Sequence, residues 1–304
     1  MSDADVAATN LRASHLVFTP HDILWSILLP AIIALVILLI SRLRPIASLA
    51  PLAIALAFLI AFPGLKYPTW QFPPLKGDST DKIFFIAAAA LILGLLDSLT
   101  KLPTWLRALL IFLLSAASIG FLLQFKFRAA WTPVFGSLIL TAAGLLTLLW
   151  WGALESAATS NRITAMILSW LVGVCFAAVI MPLADQTLGK FALILAAASG
   201  AAFVALLIPR SNIILRGYPI VFAILLISIL AGATYLSSDV SPLILALLAS
   251  TPIFIFLGRL IPQRTKPWPR ELLRLAIAAL PLATAVILAI IQFKQSANDN
   301  SYYQ

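Results

Sequence analysis

"LLPAIIALVILLI", residues Leu28 to Ile40, decides the class of this protein, because it is apolar on every face of any helix or strand drawn through it. A barrel strand alternates apolar and polar positions, and this run does not. In lipid no water satisfies the backbone, so an uninterrupted apolar run must close its hydrogen bonds within itself as a helix. Similar runs recur along all 304 residues, separated by short stretches that hold nearly all the Lys, Arg, Asp, Glu and Pro. Hydrophobic residues make up 62%, charged residues 10%, and mean hydropathy is +1.07. A water-soluble domain carries about 25% charge, so a soluble globule is excluded.

The pattern predicts an all-α polytopic membrane protein with about ten spans, each near the roughly 17–25 residues that cross the hydrocarbon core. Five are expected at Ile23 to Ile40, Ile46 to Phe62, Ile83 to Leu99, Thr104 to Leu123 and Val134 to Leu154. Five more are expected at Ile163 to Leu183, Phe191 to Ile208, Tyr218 to Leu236, Leu243 to Ile261 and Glu271 to Phe293. The chain thus divides into a polar N-terminal tail (1–22), one helical membrane domain (23–293) and a polar C-terminal tail (294–304). Asp3 and Asp5 stand where a secretory signal has basic residues, so the first apolar run is expected to remain as a span.

Charge orients the bundle. With the N-tail and even loops on one side, that side holds eight Lys and Arg and eight acids; the other holds twelve basic residues and only Asp97, Glu155 and Glu271. Basic residues near span ends mark the cytoplasmic side, which places both termini outside the cytoplasm of a bacterial-type inner or plasma membrane. The densest group, Arg259, Arg264, Lys266, Arg270 and Arg274, then forms a cytoplasmic surface cluster, suited to anionic lipid or an acidic partner. The high pI of about 10.1 arises from residues scattered at membrane edges, so no nucleic-acid partner is implied. In "LKYPTWQFPPLKGDSTDK", Leu65 to Lys82, the prolines prevent helix and the rings favour the interface. This loop is expected to fold back on the outer surface.

No recognised catalytic constellation is present. His15 and His21 lack neighbouring Cys or a carboxylate cluster, and Cys175 is the single cysteine, so neither a metal centre nor an intrachain disulfide is expected. No glycine-rich phosphate loop, Gly-x-Ser-x-Gly or His-Glu-x-x-His occurs, and no cofactor is implied. The polar candidates are few. Glu155 ends a stripe of Ser137, Thr141, Gly144, Leu148 and Trp151, residues within roughly 80° of one another on a helix. The stripe reads first as a packing face and second as a cavity wall. Asp97 has Lys101 four residues on, the spacing of an intrahelical ion pair; Asp185 lies in an outward loop. Pro252, beside Thr251, and Pro281 sit within the last two spans, where freed carbonyls can coordinate solutes in transporters. Ala196 to Phe203, "AAASGAAF", marks close helix approach.

Ten spans in this length superficially resemble the small drug/metabolite transporters, built from two inverted halves. Pro252 and Pro281 have no proline counterparts in the fourth and fifth spans, however, and the halves share no motif, so that family is not assigned. The favoured expectation is a non-catalytic accessory or scaffold subunit, working with a membrane-protein partner or as a homo-oligomer. Second is a small-solute transporter with a midplane site near Glu155, Pro252 and Pro281, and third a membrane-embedded enzyme acting on lipid.

Overall fold

A computed structural model describes residues 19–43, 49–66, 78–100, 102–208, 215–236, 240–258 and 267–299. The described residues hold eleven helices and no strand. They are α1 (Pro20–Ile23, a π-turn at Leu24–Leu28, then Leu29–Leu43), α2 (Leu49–Lys66), α3 (Lys82–Thr100, entered through a 3₁₀ turn at Ser79–Asp81) and α4 (Thr104–Leu122). Next come a short α5 (Gln124–Ala129), α6 (Pro133–Ser160), α7 (Arg162–Leu183) and α8 (Gln186–Leu207). The chain closes with α9 (Tyr218–Leu236), α10 (Pro242–Leu257) and α11 (Pro267–Asp299). Nine are long and apolar enough to cross a membrane, and α10, with 16 described residues, is shorter. The protein is an integral membrane protein of all-α architecture.

Local chemistry sets the helix ends. Thr19 and Asp22 form a reciprocal capping box, so α1 begins at Pro20, three residues before the expected span. Its turn widens to π over Leu24–Leu28 just before Pro30, whose missing N–H and ring disturb the regular ladder. Leu123, at φ −98° and ψ 19°, separates α4 from α5, and Thr132 and Pro133 restart the chain as α6. α6 runs to Ser160 and α11 to Asp299, beyond the expected Leu154 and Phe293; apolar spans end where the charged residues begin, whereas the backbone ladder continues until a cap stops it. The interfacial loop expected within Leu65 to Lys82 falls largely on residues outside the description, but Asp78 caps the turn into α3 and Asp81 pairs with Lys66 at 3.0 Å.

α9 is the pillar of the bundle. Every residue from Tyr218 to Ala233 is buried, and α2, α3, α4, α6 and α8 surround it. Its few polar groups are satisfied nearby: Ser228 donates to the Ile224 carbonyl, and the Tyr218 and Ser199 hydroxyls share a 2.9 Å hydrogen bond. Large apolar side chains such as Ile32, Leu138, Leu243 and Leu280 face outward, as a lipid solvent permits. α7 and α8 meet most closely. A Cβ on Gly173 would lie 2.9 Å from the Ala196 backbone, and one on Gly200 3.1 Å from Trp170, so the small-residue stretch of α8 lies against α7.

Ion pairs tie the two ends of the bundle. At the end where α1 begins, Lys190 of α8 meets Asp22 at 2.6 Å. Asp22→Ala removes this pair and half of the capping box. We expect it to lower stability by about 1–2 kcal/mol, measured by denaturant titration in mixed micelles; an unchanged midpoint would show that the α1 end bears no load.

Candidate functional site

At the opposite end of the bundle, four charges from separate parts of the chain form one cluster. Asp97, near the end of α3, is fully buried, and its Oδ1 receives Arg107 of α4 at 2.7 Å and Arg216 at 3.3 Å. Arg107 extends further to Glu155 of α6, Nη2 to Oε1, at 3.0 Å. The guanidinium lies 5.2 Å from the Trp151 ring centroid, a cation–π contact strengthened by exclusion of water. Two carboxylates and two guanidinium groups balance in charge, as a cluster removed from water requires.

Three features of the backbone build the cluster. α3 and α4 form a tight hairpin, so Asp97 and Arg107 face each other across the turn. Glu155 reaches the same level because α6 continues past the expected span end. Arg216 is delivered by Gly217, at φ 76°, whose Cβ position lies 2.3 Å from the Gly94 carbonyl. Only glycine meets both demands, and Gly94 is one turn before Asp97.

The cluster is incompletely satisfied. Among the described residues, Asp97 Oδ2, Arg216 Nε and the Trp151 indole N–H are buried without hydrogen-bond partners, and Arg107 Nε approaches Oδ1 too obliquely for a hydrogen bond. That contact is therefore charge–charge attraction. Asp97 takes cations from Arg107 and Arg216; Lys101, its expected i,i+4 partner, lies outside the described residues. Sequence spacing missed Arg107 because it tested only intrahelical offsets, although the near-symmetric placement of Asp97 and Arg107 about Leu102 and Pro103 was the available signal.

The remaining candidates lie elsewhere. The Glu155 stripe does not line one cavity: Ser137 and Thr141 are exposed and bond to their own helix, while Gly144 receives the Phe112 ring. Of the two buried hydroxyls of α6, Thr147 and Ser156, Thr147 is paired with Ser115 of α4 at 2.6 Å. Asp185 caps α8, accepting the Leu188 N–H at 3.0 Å. Thr251 donates to Leu247 within α10, and Pro252 and Pro281 are buried. α10 and α11 are antiparallel and joined at Gly258–Arg274 and Ser241–Gln292, which sets the two prolines level. Gly152 lies beside Phe256, so Glu155 stands about 10 Å along the axis from Pro252. The expected grouping of Glu155 with both prolines is not assembled.

Of the expected basic cluster, Arg259, Arg264 and Lys266 lie outside the described residues. Arg270 and Arg274 are drawn onto Glu271, at 3.6 and 2.8 Å. Arg274 also bonds Ser160 and the Gly258 carbonyl, and Thr164 donates to Glu271 at 2.9 Å. Ser160, Thr164, Glu271 and Arg274 line a cavity of about 20 Å³, room for a single water molecule. Among the described residues no three His, Cys, Asp or Glu side chains converge as a metal site. A larger cavity of about 250 Å³ opens between α4, α6, α9 and α10, lined chiefly by apolar residues and by Thr234 and Tyr235. Comparison with known protein families and with curated proteins finds no match to this chain.

Proposed function

We propose that this protein is a non-catalytic accessory or scaffold subunit of a membrane assembly, set in a bacterial-type inner or plasma membrane. The observation that carries this reading is the sealed, apolar pillar α9, buried from Tyr218 to Ala233. The charges beside its first turn, Asp97, Arg107, Glu155 and Arg216, balance in one cluster at that end of the bundle. Such a body is stiff, leaves no uncompensated charge for a solute to bind at mid-depth, and presents broad apolar faces to its surroundings. Both termini lie outside the cytoplasm in this reading, on the side poorer in basic residues. Substituted-cysteine labelling tests the orientation: impermeant reagent applied to intact cells labels Asp78→Cys, and labelling of Ser160→Cys instead would reverse it.

The test of function is mild-detergent purification from native membranes with cross-linking and mass spectrometry. A membrane protein recovered in fixed stoichiometry is the expected result. Recovery alone in every preparation would overturn the reading.

One observation favours transport of a small solute as a second reading. Pro252 and Pro281 each remove a backbone donor inside neighbouring, continuous helices at the same depth, and the Asp97–Arg107–Glu155–Arg216 cluster can close one end of a path between them. This reading expects Glu155→Gln to alter solute flux in reconstituted vesicles; unchanged flux across a panel of small solutes would remove it.

A further inference from the structure

The smaller cavity lies where three helix ends meet. α6 supplies Ser156 and Ser160 to its wall, α7 supplies Thr164, and α11 supplies Glu271 and Arg274. Ser156 and Ser160 are four residues apart and so share one face of α6, with Ser156 about 6 Å farther from the helix end. The outer part of the junction is bonded directly. Arg274 Nη1 donates to Ser160 Oγ and to Glu271 Oε1, both at 2.8 Å, and Arg274 Nε donates to the Gly258 carbonyl at 3.1 Å. Thr164 Oγ1 donates to Glu271 Oε2 at 2.9 Å. Ser156, only 7% exposed, lines the cavity but takes part in none of these bonds.

Volume and charge together restrict what this space can hold. Its volume of about 20 Å³ exceeds the roughly 10–15 Å³ that one water needs and admits nothing much larger. A cation would meet the Arg274 guanidinium, with Arg270 also 3.6 Å from the same carboxylate. An anion would meet the Glu271 carboxylate itself. The lining groups have mixed needs: the carboxylate only accepts hydrogen bonds, the guanidinium only donates them, and a serine hydroxyl does both. A neutral molecule that donates and accepts at once satisfies all three, and a buried water does so with two to four polar partners.

The geometry points to an ordered water bound in this cavity between Ser156, Glu271 and Arg274, as the innermost fastening of α11 to α6. This assignment is independent of any partner subunit. Crystals of the full-length protein, at a resolution that shows ordered waters, are expected to hold one density peak about 2.5–3.0 Å from Ser156 Oγ. Ser156→Val fills the space with methyl groups. The peak is then lost, and the unfolding midpoint in denaturant falls, because Glu271 and Arg274 lose their bridge. A dry cavity gives the opposite sign, since filling it raises the midpoint. A Ser156→Val midpoint at or above that of the parent therefore overturns the proposal. So does the absence of the peak in the parent protein, which decides the matter alone where the variant does not fold. Crystals grown in rubidium bromide separate water from an ion: anomalous signal from either ion at the peak overturns the assignment to water.

Discussion

Arg107→Met unfolds at markedly lower denaturant than the parent protein, with a loss of about 3–5 kcal/mol, because it strands buried charge. Among the described residues, Asp97 keeps only Arg216, whose single hydrogen bond is 3.3 Å long, and Glu155 loses the one cation within ion-pair distance of it. Burial magnifies the loss at Asp97, which has no exposure that could take over the charge, whereas Glu155 is partly exposed. The partner variant distinguishes a charge effect from a shape effect. Asp97→Asn with Arg107→Met removes opposite charges together and recovers a substantial part of the loss, as a double-mutant cycle. Equal destabilisation by the single and double variants would show that Arg107 acts through packing on Trp151 alone.

Gly217→Val is expected to be still more damaging, preventing accumulation of folded protein in the membrane. A side chain at φ 76° costs about 1–2 kcal/mol for the backbone alone, and more when β-branched. Here the added Cβ would also lie 2.3 Å from the Gly94 carbonyl oxygen, a backbone atom that cannot rotate away. Relief requires α9 to withdraw from α3, which uncovers the pillar and pulls Arg216 off Asp97. Gly94→Ala, facing Val221, Pro51 and the Gly217 carbonyl at 2.8–3.1 Å, should be damaging to a lesser degree. Yield of monodisperse protein on size exclusion measures both; a normal yield of Gly217→Val would mean that this crossing is looser than its geometry.

The spans were legible because hydropathy reports the solvent directly. A run such as Leu28 to Ile40 has one stable fate in lipid, and α4 and α9 match the expected Thr104 to Leu123 and Tyr218 to Leu236 almost residue for residue. Small residues at i and i+4 similarly marked Ala196 to Phe203 for a close helix approach, because close contact needs the absence of side-chain bulk; that the neighbour is α7 came from the structure. The candidate site was legible only in pieces. Asp97 and Glu155 stood out as rare acids, but Arg107 and Arg216 looked like ordinary topology residues. Their partners come from other helices, 48 residues apart for Arg107 and Glu155 and 119 for Arg216 and Asp97.

Sequence by itself determined that this chain lives in lipid, that it crosses as helices, and about where each crossing begins and ends. Those properties are local, set by backbone hydrogen bonding and transfer free energy over some twenty residues. Only the tertiary structure decided that α9 stands at the centre and that four distant charges neutralise one another. Hydropathy does not rank the long helices by depth within the bundle: α1 holds the most apolar span and is among the least buried, while the less apolar α9 is the most buried. That order comes from glycine contacts and charge pairing between helices, which have no periodicity along the chain.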